Sequence, residues 1–138
     1  MNLIKHGNIF SGILLLSLMA IMIPKELQGI ELSRYLWINR IILIFADDQN
    51  HPDLIRLKAE MKENECEILN RDLLYFQFSN DGKTGNLITT NDQSFRILLI
   101  GKDGGIKYES NQYVSLIQLF ELIDLMPMRQ YEMQYDRC

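Results

Sequence analysis

Two cysteines are the residues of this sequence best suited by type to redox or metal chemistry. Cys66 and Cys138 are its only cysteines and lie far apart, so neither a CxxC redox motif nor a four-ligand zinc set can be written. They could form one disulfide in an oxidising compartment, but a cysteine at the extreme C-terminus is often mobile and unpaired. The sequence therefore leaves the pairing open, with Cys66 a packing residue or half of a structural disulfide.

A polar loop after an apolar run collects a second set of chemically capable side chains. Asp47, Asp48, Asn50 and His51 precede Pro52, and carboxylate and imidazole groups can bind metal ions. Their spacing matches no calcium or zinc pattern. The favoured interpretation is that the aspartates offset the positive end of a following helix while Asn50 or His51 caps it. We expect no metal and no cofactor, and keep Asp47, Asp48 and His51 as candidate binding residues.

Arg96 is the fourth candidate binding residue, because it opens an apolar run that we expect to start beside the same loop. It could bind an anion or pair with Asp47 or Asp48, and a structural ion pair is favoured. The nearby residues 102–105, Lys-Asp-Gly-Gly, lack the strand-then-helix context of a phosphate-binding loop. A two-residue hairpin turn with positive φ angles at Asp103 and Gly104 explains them.

Hydrophobic patterning supplies the elements that would position these residues. Apolar runs predict strands over 41–45 and 73–78, separated by an amphipathic helix that runs from Pro52 to about Asn64. Such a βαβ unit has parallel strands and a right-handed crossover. A polar connection then leads to a hairpin over 95–107, whose first strand is apolar enough to be covered on both faces.

The last predicted helix begins with a capping box, Ser115 to Gln118, and presents an apolar face from Leu116 to Met126. Pro127 stops it, and residues 128–138 form a tail that could dock or fray. The order βαβ then ββα predicts an α/β, thioredoxin-like fold with a mixed central sheet and flanking helices. In that fold the first strand is central, and the final hairpin lies beside it in antiparallel sense. Trp37 with Tyr35 could form an exposed aromatic binding patch, but a Trp37 buried against the sheet is favoured.

The N-terminus has the pattern of an export signal. Lys5 and His6 precede an apolar run over 9–23 that ends at Pro24. Such a run spans about 22 Å as a helix, less than the roughly 30 Å hydrocarbon core of a bilayer. Residues 1–29 are therefore predicted to be a signal peptide or N-terminal anchor, and residues 30–138 the domain. The mature protein is expected in the periplasm or outside the cell, or alternatively anchored in the inner membrane by residues 9–23.

Composition limits the partners. The formal net charge is −4 and basic residues are scattered, so the chain lacks the electrostatic footprint of a nucleic-acid-binding protein. The expected partner is an unknown protein or small ligand. Contact with a membrane is expected only through an uncleaved N-terminal segment.

Four motifs resemble a known family. They are similar to a peroxiredoxin-like domain of unknown function that occurs as stand-alone exported bacterial proteins and as the C-terminal domain of the sushi-repeat-containing extracellular proteins of animals. The resemblance covers about Leu36 to Met133. The motifs are Leu36-Trp37-x-Asn39-Arg40, Arg71-Asp72-Leu73, Phe95-Arg96-x-Leu98-Leu99-Ile100-Gly101-Lys102-Asp103-Gly104-Gly105-x-Lys107 and Leu119-Phe120-x-x-Ile123-Asp124-x-Met126-Pro127-Met128-Arg129.

The resemblance implies a thioredoxin-like domain outside the cytoplasm with no established enzymatic activity, and it supplies no catalytic residues. Thioredoxin-fold enzymes place the reactive cysteine where the central strand meets the helix N-terminus. Residues 47–52 fill that position here without a thiol. The leading hypothesis is a non-catalytic, exported binding or interaction module. The alternatives are a peroxiredoxin-like oxidoreductase that uses Cys66 and a membrane-anchored accessory protein.

Overall fold

The computed structural model describes residues 31–79, 94–135, 137 and 138. The predicted signal or anchor segment, residues 1–29, and most of the polar connection after the second strand lie outside the described residues. Within the described ranges, none of the helices combines the length and apolar character needed to cross a bilayer.

The sheet has the predicted topology. Its order is β2-β1-β3-β4, with β1 parallel to β2, β3 antiparallel to β1, and β4 antiparallel to β3. Every residue of β1 is buried because this strand is central and covered on both faces. The strands are β1 (Arg40–Ala46), β2 (Leu73–Ser79), β3 (Phe95–Ile100) and β4 (Ile106–Ser110).

Two of the four α-helices in the described residues were not predicted. The sequence pattern predicted that the first helix ends near Asn64. The chain does turn there, but it continues as a second short helix. Pro127 does end the pattern of the preceding helix, yet it also opens a new one, because proline is compatible with the first turn of a helix. The helices are α1 (Pro52–Glu63), α2 (Glu65–Asn70), α3 (Leu116–Asp124) and α4 (Pro127–Glu132), and a 3-10 helix spans Leu32–Tyr35.

Both faces of the sheet are packed. On one face, Leu54, Leu57 and Met61 of α1 and the apolar side of α3 join alternate residues of β1 and β3 in the larger core cluster. On the other, Phe45 stacks on Phe78 with ring centroids 5.1 Å apart. The predicted capping box of α3 is confirmed, since Ser115 accepts from the Gln118 N–H and the Gln118 side chain accepts from the Ser115 N–H.

The β3–β4 turn is longer than predicted. Gly101 N–H donates to Gly105 O at 2.9 Å and Gly104 N–H donates to Gly101 O at 3.0 Å. Three residues therefore lie in the loop, as in a type I turn followed by a left-handed residue. Within this turn only Gly104 has a positive φ, of 80°, so the predicted pair of positive angles at Asp103 and Gly104 was wrong.

Trp37 is not buried, contrary to expectation. Its side chain is 66% exposed, and its φ of 63° is rare for a bulky residue. Trp37 N–H donates to Lys102 O at 2.6 Å. The main chain is thus bound to the β3–β4 turn while the indole points into solvent, and Tyr35 packs on Phe76 of β2 instead.

Candidate functional site

The β1–α1 loop, residues 47–51, lies where thioredoxin-fold enzymes carry their nucleophile. Asp47 N–H donates to Ser94 O at 2.9 Å, which joins the loop to the start of β3. Asp48 Oδ1 accepts from the Asn50 N–H at 3.1 Å, a contact within the loop. Both aspartates are exposed, and each has a hydrogen bond that shapes the turn.

His51 caps α1, as one of the two interpretations of the loop anticipated. Its Nδ1 accepts from the Asp53 N–H at 3.2 Å, so the ring proton of the neutral imidazole is on Nε2. Nε2 lies 3.2 Å from Ser94 Oγ, and the ring stacks on Phe95. In this tautomer the imidazole donates to the hydroxyl and does not activate it as a base would. His51 and Ser94 therefore do not form a nucleophile–base pair.

Arg96 lies next to this loop, because its partner across the β1–β3 ladder is Phe45. Glu109 of β4 is an ion partner of Arg96 among the described residues, at 2.7 Å from Nη2; the sequence had led us to expect Asp47 or Asp48. The described residues include no group of three or more histidine, cysteine, aspartate or glutamate side chains arranged to hold a metal ion.

Cys66 and Cys138 are joined in a disulfide with a Cα–Cα distance of 5.8 Å. Cys66 lies in α2, beyond the C-terminal end of α1. Because α1 has 12 residues, the disulfide lies about 18 Å along the helix from the β1–α1 loop. Both cysteines are exposed. The disulfide connects Cys138 to α2.

The opposite end of the sheet, at the other ends of its strands, has charged side chains that the sequence had not assigned to a site. The starts of the parallel strands β1 and β2 and the end of the antiparallel β3 meet there. We call Arg40, Asp72, Lys102, Glu132 and Arg137 the ionic cluster. Lys102 Nζ lies 2.7 Å from both Asp72 Oδ2 and Glu132 Oε1, and Arg137 Nη1 lies 2.7 Å from Asp72 Oδ1.

Arg40 is the most deeply buried member of the ionic cluster, with 1% of its side chain exposed. Nη1 donates to Glu132 Oε2 at 2.8 Å and to Arg71 O at 2.9 Å, and Nη2 donates to Glu132 Oε1 at 3.3 Å. A guanidinium has five N–H donors. Nε is buried and has no acceptor among the described residues. The Nη1 and Nη2 side of the guanidinium thus binds Glu132, whereas the Nε–H donor on the other side has no acceptor among the described residues.

The cations of the ionic cluster keep its carboxylates charged. Burial raises the pKa of Asp72, but hydrogen bonds from Arg137 and Lys102 outweigh it, so the pKa falls to about 2. Burial likewise raises the pKa of Glu132, and hydrogen bonds from Arg40 and Lys102 lower it further than burial raises it. At neutral pH both carboxylates are therefore ionised and hold their partners.

A second set of ion pairs anchors α4 to α2 and α3. Arg71 donates to both Asp124 oxygens, from Nε at 3.0 Å and from Nη2 at 2.7 Å. Arg129 is buried and donates to Asp124 Oδ1 at 3.0 Å and to Asn70 O at 2.7 Å. The sequence left residues 128–138 as a tail that could dock or fray; the residues of α4 within it are docked.

A groove of about 390 Å³ lies between the β3–β4 turn and the α3–α4 junction. This volume is within the range of small-molecule sites, roughly 300–1,000 Å³. Its wall toward the helices is apolar, and its wall toward the sheet holds Arg40 and the side chains of the turn. The lining residues are Arg40, Gly101, Lys102, Asp103, Lys107, Leu122, Leu125, Met126, Pro127 and Met128.

The sequence did contain a signal for this edge. Arg40 directly precedes the apolar run of β1, Arg71 and Asp72 precede that of β2, and Lys102 follows that of β3. In a sheet with two parallel strands and an antiparallel third, these positions share one edge. The predicted topology could have brought them together, but the motifs were used only to identify the resemblance.

Comparisons with known proteins agree with this architecture. Residues 31–132 match the model of a family described as a domain of unknown function, DUF4174. A crystal structure of reduced 2-Cys peroxiredoxin from Plasmodium vivax is similar with a TM-score of 0.55 at 11% identity, over 75% of this chain and 72% of that chain. No curated protein matches the chain. At this identity the likeness shows the fold alone, and that fold is the expected α/β, thioredoxin-like one.

Proposed function

The chain belongs to the DUF4174 family, and from this membership and its fold we propose that it is an exported binding or interaction module without thiol catalysis. The observation that carries the proposal is the position of the two cysteines. Residues 47–52 occupy the junction of the central strand and α1, and they include no cysteine. The two cysteines are bonded to each other at the far end of α1.

Without a thiol at that junction, the positive end of α1 has no thiolate to stabilise. One N–H group of the first turn, that of Asp53, donates to His51 instead. Peroxide reduction and disulfide exchange both need a thiolate nucleophile. The β1–α1 junction therefore occupies the place of a thioredoxin-fold redox site but has no cysteine to act as the nucleophile.

Export is supported by three features. The N-terminal segment has signal-peptide patterning, and disulfides persist mainly in oxidising compartments. The motifs also resemble those of exported bacterial proteins and of the sushi-repeat-containing extracellular proteins. The alternative is an accessory protein held in the inner membrane by residues 9–23. The mass of the mature protein separates the two, because a product that still begins at Met1 favours the anchor.

A peroxiredoxin-like oxidoreductase that uses Cys66 is the second candidate function. The exposure of both cysteines favours it, since a reductant can reach the disulfide. The reduced Cys66 thiolate would attack a peroxide oxygen, breaking the O–O bond, so that an alcohol or water leaves and Cys66 becomes a sulfenic acid. The Cys138 thiol would then attack the Cys66 sulfur, release water and restore the bridge. Glutathione or another small thiol would supply the electrons for the next cycle.

The test is turnover by the purified mature protein with hydrogen peroxide or with insulin, in the presence of a thiol reductant. We expect consumption at the rate of buffer alone, both for the wild type and for the Cys66→Ser, Cys138→Ser double variant. Turnover that Cys66→Ser abolishes would establish the oxidoreductase. Turnover that survives loss of both cysteines would overturn both candidates.

A further inference from the structure

We propose that the groove beside the ionic cluster binds an alkyl carboxylate, a single anionic head group on an unbranched apolar chain. The inference rests on the proposed binding role and names its ligand class. The groove has two unlike walls, and each matches one part of such a molecule. Its volume, about 390 Å³, accommodates a small ligand.

The helix wall fits the chain of the ligand. Leu122, Leu125, Met126 and Met128 line it, and Leu125 is 77% exposed although it is large and apolar. Methionine and leucine side chains are flexible, and methionine in particular adapts to irregular apolar partners. A flexible alkyl chain laid along this wall would cover apolar surface that now faces water.

The sheet wall fits the head group. Arg40 lines the groove, and Glu132 occupies only the Nη1 and Nη2 side of its guanidinium. The buried Nε has no acceptor among the described residues, and a buried donor left unpaired is costly. A carboxylate is the acceptor that suits a guanidinium edge best, because it can accept two N–H bonds side by side. The carboxylate head group would accept the hydrogen bond from Arg40 Nε, which Glu132 does not accept.

Charge at this wall also favours an anion. The ionic cluster contains three cations, Arg40, Lys102 and Arg137, and two carboxylates, Asp72 and Glu132. Lys107, which also lines the groove, is matched by Asp103 at 2.6 Å. The side chains of the ionic cluster, of which Arg40 and Lys102 line the groove, thus carry one excess positive charge, which a carboxylate balances and an ammonium would increase.

The experiment is calorimetric titration of the full purified chain with decanoate below its micelle concentration. Three probes separate the two parts of the ligand: acetate has the head alone, 1-decanol has the chain alone, and decylammonium reverses the charge. We expect saturable binding of decanoate, at least about tenfold weaker binding of 1-decanol, and none measurable for acetate or decylammonium. Failure of decanoate to bind to folded protein would overturn the proposal.

Variants locate the binding. Leu125→Asp puts a carboxylate into the chain wall and should weaken decanoate binding about tenfold. Ile117→Asp is the matched control, because Ile117 is an exposed apolar residue of α3 outside the groove. Lys107→Gln should weaken binding of decanoate and leave that of 1-decanol unchanged. Circular dichroism checks that each variant is folded.

Two results would contradict the proposal even if decanoate binds. Equal affinity for decanoate and 1-decanol would show that the sheet wall does not recognise the head group. Equal affinity in wild type and folded Leu125→Asp would place binding elsewhere. Either result leaves the absence of thiol catalysis untouched, since turnover measures that separately.

Discussion

Asp72 is a residue through which acid should destabilise this protein. Its pKa of about 2 in the folded state is below the usual value of 3.8. A carboxyl group with a lowered folded pKa stabilises the fold above its unfolded pKa and loses that contribution as pH falls toward the folded one. We predict that the free energy of unfolding declines between about pH 4 and pH 2, as measured by urea denaturation at each pH.

Asp72→Asn isolates this effect. Asparagine tolerates the φ of 47° at this position, so the backbone is kept while the ion pairs to Lys102 and Arg137 are lost. We predict a loss of about 2 kcal/mol at pH 7 and a shallower decline below pH 4. Asp48→Asn, at an exposed carboxylate with only a local contact, is the control and should match the wild type. A variant with the full acid dependence would contradict the assignment to Asp72.

Individual residues were the part of the site least accessible from sequence. Asp47, Asp48, His51 and Arg96 were chosen because their types suit binding, and their nearness was inferred from topology. The ionic cluster was missed because its partners are distant in sequence: Arg40 and Glu132 are separated by 92 positions. Hydrophobic periodicity carries no information about such pairs. Whether any of the four candidates binds a ligand stays a prediction.

At the scale of elements, the β3–β4 turn depends on one glycine. A Cβ on Gly104 would meet Leu36 Cδ2 at 2.7 Å, and its φ of 80° is strained for any side chain. We predict that Gly104→Ala lowers the free energy of unfolding by about 1–2 kcal/mol. Gly105→Ala is the matched control, because its Cβ would meet no atom closer than 3.4 Å. Equal costs in urea denaturation would show that the left-handed conformation is not needed.

The elements that sequence predicted well are those with local signals. The strands were found from short apolar runs, α1 from its amphipathic spacing, and the start of α3 from the Ser115 to Gln118 capping box. The missed helices, α2 and α4, have six residues each, too few for a periodic pattern to stand out. Arg71 at the end of α2 binds Asp124 of α3, and Arg129 of α4 binds Asn70 O at the end of α2. Tertiary contacts therefore decide whether these segments are helical.

At the scale of the whole molecule, the disulfide connects positions 72 residues apart. A cross-link over a loop of that length limits the unfolded chain strongly, and removal of a native disulfide typically costs roughly 2–5 kcal/mol. We predict that the Cys66→Ser, Cys138→Ser double variant loses about 2–4 kcal/mol in urea denaturation.

Amide hydrogen exchange of the same double variant should show which element loses stability. With the bridge gone, α4 and the residues after it are held only by the ion pairs and hydrogen bonds of Arg129, Glu132 and Arg137. Amide hydrogen exchange should therefore rise more in α4 than in β1, where it rises only through global unfolding. A uniform rise across both elements would mean that the bridge acts only on the unfolded state.

The outward-facing indole of Trp37 has a practical consequence. It is the sole tryptophan of the chain, and because water already surrounds most of it, its fluorescence in the native protein should resemble that of the unfolded one. Emission would be a poor monitor of global denaturation. It should instead be readily quenched by iodide or acrylamide, and it would register any molecule that comes to rest on the neighbouring hairpin.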